Sequence, residues 1–274
     1  MAQQRTALVT GASSGMGKDF AKALLDEGLT VYTAARRIEQ MDGLKRLGAI
    51  PLKMDISKDE DVQAAVQTIE KDHGGVDVLV NNAGFGLYGA MEDIGLDEAR
   101  YQFEVNLFGM ARLTQLLLPS MRRKKSGLII NMSSMGGKVY TPLGSWYHAS
   151  KHAVEGWSDC LRIELQQFGI NVVIVEPGVI KTEFETVMID PMLERSGKTA
   201  YGVMAHKMAE TTRKSYEKGA ASEPEVITDL ILKAVRAKKP KTRYVAGKFA
   251  KPMMFVRKWF GDRVFDKIIL STVK

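Results

Sequence analysis

The chain has 274 residues, 45% of them apolar and 26% charged, a balance that excludes a disordered chain and suits one large α/β domain. No apolar run nears the roughly 20 residues a membrane-crossing helix needs, and Met1-Ala2-Gln3-Gln4-Arg5 leads straight into a strand with no secretory leader, so a cytoplasmic location is expected. The formal charge of +7 is uneven: residues 233 to 274 hold thirteen Lys or Arg against Asp262 and Asp266, leaving −4 for everything before them. No nucleic-acid motif accompanies that basic end, so no nucleic-acid partner is expected.

In chain order, Thr6 to Thr10, Thr30 to Ala34, Ile50 to Lys53, Val76 to Val80, Gly127 to Met132 and Asn171 to Val175 read as strands, with a seventh near Arg243 to Ala246. Between them, apolar periodicity predicts helices over Met16 to Glu27, Lys58 to Asp72, Leu96 to Arg122 and Trp146 to Phe168. Such alternation means βαβ units. It implies a Rossmann-type, doubly wound parallel sheet in a three-layer α/β/α sandwich, a single domain whose ligand lies at the carboxyl ends of the strands. Residues 1–247 are assigned to that domain, with a substrate lid in residues 181–220 where the rhythm breaks. Cys160, the one cysteine, is expected to be a buried or half-buried filler on its helix.

After the first strand, Thr10-Gly11-Ala12-Ser13-Ser14-Gly15-Met16-Gly17 places three glycines before a helix. Such a turn lets backbone N–H groups and a helix N-terminus approach a phosphate. The second strand is followed by Arg36 and Arg37, with no acid before Glu39. A carboxylate there would accept from a ribose hydroxyl, whereas a guanidinium grips a 2′-phosphate, so Arg36, with Arg37 or Lys18 assisting, points to NADP(H).

Tyr147-His148-Ala149-Ser150-Lys151 opens a predicted helix, and the i, i+4 spacing sets Tyr147 and Lys151 on one face. An ammonium beside a phenol favours the phenolate, which makes Tyr147 a usable acid or base. Alone, that pair is weak. With its surroundings, the chain from about Thr6 to Thr182 resembles the short-chain dehydrogenase/reductase family. The resemblance rests on the glycine turn, Asp55 after the third strand, Asn81-Asn82-Ala83-Gly84 at the end of the fourth, Asn106 in Val105-Asn106-Leu107-Phe108-Gly109, Ser134 thirteen residues before Tyr147, and Pro177-Gly178-Val179-Ile180-Lys181-Thr182.

The resemblance implies a carbonyl reductase or alcohol dehydrogenase using NADP(H). Tyr147 would be the acid/base, Ser134 would hydrogen-bond the carbonyl oxygen, Lys151 would lower the Tyr147 pKa, and Asn106 would hold a water of a proton relay. Ser133 is the adjacent alternative to Ser134. The cofactor would meet Gly11, Ser13, Ser14, Gly15, Met16, Gly17, Arg36, Arg37, Asp55, Ile56, Asn82, Ala83, Gly84, Tyr147, Lys151, Pro177, Gly178, Val179 and Thr182. The family often dimerises through the long helices, so a homo-oligomer is expected. As purely structural alternatives, Asn106 would kink its helix, Asn81 and Asn82 would satisfy loop backbone, and Asp55 would start a turn.

His148, His152 and Glu155 have a spacing that suits zinc, but no further ligands cluster with them, so no metal is expected and an exposed or subunit-contact face is the default. Phe85, Leu87, Tyr88, Leu143, Trp146, Phe184, Val187, Met188 and Met192 fall near the expected site and suit an apolar carbonyl or alcohol substrate. From 248 to 274 the chain interleaves basic and apolar residues; it suits packing on the domain, a cover for the pocket, or peripheral membrane contact, and its helical stripe favours packing. The rival function is a non-catalytic dinucleotide-binding sensor or membrane-recruited scaffold.

Overall fold

A computed structural model describes residues 4–182, 184–217 and 221–273, with the side chains of 184–186 outside the described set. Its strands are β1 (Thr6–Thr10), β2 (Thr30–Ala35), β3 (Ile50–Lys53), β4 (Val78–Asn81), β5 (Gly127–Met132), β6 (Ile170–Pro177) and β7 (Arg243–Ala246). Its α-helices are α1 (Gly15–Asp26), α2 (Asp42–Arg46), α3 (Asp59–His73), α4 (Leu96–Phe103), α5 (Gly109–Lys124), α6 (Ser145–Leu165), α7 (Phe184–Ser196), α8 (Gly202–Tyr216), α9 (Glu225–Arg236) and α10 (Ala250–Ser271). The strands form one parallel sheet in the order β3-β2-β1-β4-β5-β6-β7.

Successive side chains of a strand point to opposite faces, and here both faces are dry. Ala7, Val9, Val31, Val78, Val80, Ile130, Val173 and Val175 pack with Phe20 and Leu24 of α1 and with Ile227, Ile231 and Val235 of α9. Leu8, Tyr32, Leu79, Ile129 and Val172 face the other way, onto Val62, Val66 and Ile69 of α3, Leu113 and Leu117 of α5, and Leu161 and Leu165 of α6. The order reverses direction between β1 and β4, so a crevice opens there at the carboxyl edge.

Two expectations change. The helix predicted over Leu96 to Arg122 is interrupted by a π-helical turn at Glu104–Phe108, centred on Asn106; a wide turn of this kind marks a place where a side chain competes for the backbone ladder. Cys160 is exposed, because the buried stripe of α6 runs through Tyr147, Lys151, Val154, Ser158, Leu161 and Leu165 and leaves position 160 off it. The region after β6 is helical: Met188, Ile189 and Met192 of α7 pack with Ala205, Met208 and Ala209 of α8.

The basic tail folds back as α10, kinked at Gly261 (φ 72°, ψ −175°). Phe265 and Ile269 bury against Val139, with Met135 and Tyr140 alongside, and Tyr140 lies edge-on to Phe265 at 5.1 Å. Phe265 is fully buried, so Phe265→Ala should cost about 3–5 kcal/mol of unfolding free energy. Urea unfolding followed by circular dichroism checks this; a loss below about 1 kcal/mol would mean that the tail does not pack there.

Candidate active site

The glycine turn is held from the β4 side. Thr10 Oγ1 accepts hydrogen bonds from the backbone N–H groups of Asn82 and Ala83, each at 3.0 Å, while Asn82 Nδ2 donates to Thr10 O at 3.0 Å. Gly11 has φ +67°, and a Cβ on it would stand 2.9 Å from the Ala83 Cα; a Cβ on Gly17 would strike the Gly11 carbonyl and the Asn82 amide. α1 therefore starts tight against the end of β4. Ser13, Ser14 and Met16 are half-buried and Gly15 is exposed. No side chain caps α1, and its first turn carries no acid, so its N-terminal N–H groups and dipole are left to an anion.

Arg36 and Arg37 stand exposed just past β2, and Arg36 Nη1 donates to the Tyr101 hydroxyl at 3.2 Å. Sequence reasoning missed Tyr101, which reaches Arg36 from 65 residues away and shows no signal in its neighbours. Asp55 follows β3 and starts a turn: its Oδ1 accepts from Ser57 N at 3.1 Å and Ser57 Oγ at 2.7 Å, while Ile56 beside it is buried.

Across the crevice, Tyr147 and Lys151 lie one turn apart on α6, both buried. Ser134, just beyond β5, reaches the Tyr147 phenol, and its Oγ accepts from Gly136 N at 3.0 Å. Ser133 turns the other way, its Oγ near the Gly137 backbone. Lys151 Nζ donates to Met132 O at 2.8 Å. Burial pushes its pKa down to about 8, against the pull of Glu155. The expected lowering of the Tyr147 pKa by Lys151 does not hold in this state: burial raises it, and the opposing hydrogen bond comes from Ser134.

Asn106 sits at the π-helical turn. Its Oδ1 accepts from Phe85 N and its Nδ2 donates to Phe85 O, both at 3.0 Å, with a further bond from Nδ2 to Ser150 Oγ at 3.1 Å. Gly84 stands exposed between this side chain and the lysine: a Cβ there would be 3.1 Å from Asn106 Oδ1 and 3.8 Å from Lys151 Nζ. β6 ends at Pro177; then Gly178 N donates to Ala246 O at 2.8 Å and Val179 N to Lys248 O at 3.0 Å, with Thr182 half-buried further on. Glycine turn, Asn82-Ala83-Gly84, Ser134, Tyr147, Lys151 and Asn106 thus meet at one edge of the sheet.

His148 is buried, contrary to the expected exposed or subunit-contact face. Nδ1 bonds Gly136 O at 3.0 Å, Nε2 accepts from Thr141 N at 3.1 Å, and burial pushes its pKa down to about 4. It braces the segment after Ser134, while His152 is exposed. No group of three or more His, Cys, Asp or Glu able to hold a metal exists among the described residues. Glu155 pairs with Lys138 at 2.9 Å and Arg243 at 3.0 Å. Beside it, Glu176 is fully buried, with Arg243 Nε 3.3 Å from its Oε1 but no aligned hydrogen bond. Burial and the nearby Glu155 push the Glu176 pKa up to about 7.

Of the apolar candidates, Tyr88, Leu143, Met188 and Met192 pack in one buried cluster with Tyr147, and the Tyr88 ring lies 5.4 Å from that of Tyr147. Leu87 packs with Phe85 and Trp146 in a separate small cluster. Val187 is exposed, and the Phe184 side chain lies outside the described residues. Val273, two residues past the end of α10, joins the Tyr147 cluster.

Residues 5–191 match the family model described as short chain dehydrogenase. The chain belongs to the short-chain dehydrogenase family. This short-chain dehydrogenase is similar to the NADPH-dependent 3-dehydrocapnine reductase of Ornithobacterium rhinotracheale, 35% identical over 98% of each chain. It is also similar to the 3-ketodihydrosphingosine reductase of Bacteroides thetaiotaomicron, 40% identical over 66% of each chain. Among solved structures, a short-chain dehydrogenase from Streptomyces avermitilis superposes with a TM-score of 0.80 at 32% identity, covering 98% of this chain and 96% of that one. The family acts in oxidoreduction, and no helix among the described residues is long and apolar enough to cross a membrane.

With its pKa raised from 4.5 to about 7, Glu176 binds a proton in the fold that the unfolded chain releases, so its contribution to stability is present below about pH 4.5 and lost as pH rises through 7. Glu176→Gln cannot ionise and avoids that loss. The variant's melting temperature relative to the parent should therefore climb across this window; His148 contributes the opposite slope to both proteins and cancels in the difference. A flat difference would show that Glu176 is not protonated in the fold.

Proposed function

We propose that the protein is an NADP(H)-dependent oxidoreductase that interconverts a ketone or aldehyde and its alcohol on an apolar substrate. The observation that carries this reading is the Ser134 hydroxyl reaching the Tyr147 phenol, with Lys151 one helical turn further on and the glycine turn across the same crevice.

The residues fit a dinucleotide. Neither Gly11 nor Gly17 has room for a side chain, the α1 N-terminus is uncapped, and two guanidiniums stand exposed past β2. Gly11, Ser13, Ser14, Gly15, Met16 and Gly17 would hold the pyrophosphate, Arg36 and Arg37 the 2′-phosphate, and Asp55, Ile56, Asn82, Ala83 and Gly84 the adenosine side. Tyr147, Lys151, Pro177, Gly178, Val179 and Thr182 would hold the nicotinamide riboside. When bound, the reduced cofactor supplies the hydride that the carbonyl carbon accepts.

Tyr147 donates its phenolic proton to the carbonyl oxygen as negative charge grows there, and takes it back in oxidation. Its raised pKa keeps it protonated at neutral pH, as an acid requires. Ser134 donates a hydrogen bond to the same oxygen and acts electrostatically, not as a nucleophile. Lys151 keeps most of its charge at neutral pH and offsets the phenolate left behind. Asn106 Oδ1, near Lys151 across Gly84, can accept a second hydrogen bond, from a water that would resupply the proton.

The apolar wall of Tyr88, Leu143, Met188 and Met192 supports an apolar substrate, and the names of both relatives describe reductases, one of them NADPH-dependent. A homo-oligomer fits the exposed Phe108 and Ile163 beside α5 and on α6.

Tyr147→Phe should lower NADPH oxidation against apolar ketones by about 10²–10⁴-fold while NADPH still binds; unchanged turnover would sink the mechanism, and NADPH binding with no turnover of any carbonyl by the parent would favour the sensor. Arg36→Ala should weaken NADPH about tenfold to a hundredfold and leave NADH alone, the worth of one charge-assisted contact. Isothermal titration with both cofactors reads this directly, and equal weakening of the two would remove Arg36 from the 2′-phosphate.

A further inference from the structure

The helix α10 has two unlike halves, divided by the kink at Gly261. Phe265 and Ile269 are buried on the domain, and both acids of the helix are used on that side: the Tyr140 hydroxyl donates to Asp266 at 2.9 Å and to Asp262 at 3.3 Å. Asp262 also pairs with Arg257, whose guanidinium lies over the Tyr140 ring at 5.3 Å. Both carboxylates of the tail are thus engaged at Tyr140 and Arg257, where the helix meets the domain.

Before the Gly261 kink, where Met253, Met254 and Val256 face the domain, the outward side of the helix carries Phe255, Trp259 and Phe260, exposed by 56%, 66% and 58%. Phe255 lies 6.3 Å from Trp259 and 6.2 Å from Phe260, so the three rings form one patch. Lys251 and Lys258 stand exposed on the same stretch, Lys258 Nζ 5.4 Å over the Trp259 ring, and Arg263 and Lys267 stand exposed past the kink; none of the four forms an ion pair among the described residues. The cores of protein interfaces are depleted in lysine. A cluster of Trp and Phe among unpaired cations matches instead the boundary of an anionic bilayer, where rings enter the headgroup layer and ammonium groups meet lipid phosphates.

We propose that α10 docks this protein onto an anionic phospholipid surface through Phe255, Trp259 and Phe260, with Lys251, Lys258, Arg263 and Lys267 binding the headgroups. The same helix leads to Val273, which packs in the apolar cluster around Tyr147. Docking therefore sets the substrate wall beside the bilayer, and the substrate is an apolar carbonyl compound drawn from the lipid phase; this last step rests on the function proposed above.

The test is sedimentation of the full-length protein with sucrose-loaded phosphatidylcholine vesicles, with and without phosphatidylserine, beside a Phe255→Ser, Trp259→Ser, Phe260→Ser triple variant. The parent should pellet with the phosphatidylserine vesicles and release at high salt. The variant should bind at least about tenfold more weakly, with its melting temperature and its NADPH-dependent turnover of a water-soluble ketone unchanged. Docking is overturned if the parent fails to pellet, if the variant pellets equally, or if light scattering shows the variant losing a dimer while neither protein binds vesicles, which would make a second copy the occupant. Vesicle binding without turnover of any carbonyl would support docking and overturn only the functional reading.

Discussion

A parallel sheet covered on both faces has satisfied its side chains and most of its backbone within the sandwich, so chemistry is left to the edge where strands end and loops begin. In this protein the edge is tied together by one buried contact, the Lys151 ammonium on the Met132 carbonyl at 2.8 Å. It fixes the first turns of α6 to the end of β5, and with them Tyr147 to Ser134. A cation held in so dry a place needs a carbonyl and a nearby carboxylate, and Glu155, one turn further along, supplies the second.

Behind that contact runs a buried polar seam. Asn81 Nδ2 donates to Asn131 Oδ1 at 2.8 Å, and Asn131 Nδ2 donates to Ser158 Oγ at 2.9 Å, while Asn106 reaches Ser150 on the same helix. Apolar packing alone would let helices slide against the sheet by fractions of a turn; directional bonds in a low-dielectric interior leave one arrangement. The seam joins β4, β5 and α6 and so sets the depth of the crevice. Asn106 adds the π-helical turn, which brings its amide under the Phe85 backbone.

Much of this was legible in the sequence because it is local. The seven strands, the glycine turn and the Tyr147–Lys151 spacing each follow from short-range pattern, and all appear where the pattern put them, within a residue or two. What the sequence hid depends on partners far along the chain. His148 reads as an exposed or subunit-contact residue because it flanks the Tyr147–Lys151 face, yet Gly136 and Thr141 fold over it. The Tyr147 pKa moves up and not down because burial, which no spacing reveals, outweighs the Ser134 hydrogen bond. Tyr101 beneath Arg36 and the Glu155–Glu176–Arg243 cluster gave no sign, since each joins elements that meet only in the finished fold. Cys160 was misjudged by about one helical step of 100°, enough to move it from the packed stripe to solvent.

That exposed thiol makes the protein ready for labelling without mutation. It is the one cysteine in the chain, so a maleimide dye or spin label attaches at a single site. Along α6 it lies thirteen residues beyond Tyr147, roughly 20 Å at the helical rise. A reporter there is remote from the chemistry yet rigidly joined to it through one helix, a natural ruler for watching α7 and α8 as cofactor and substrate arrive.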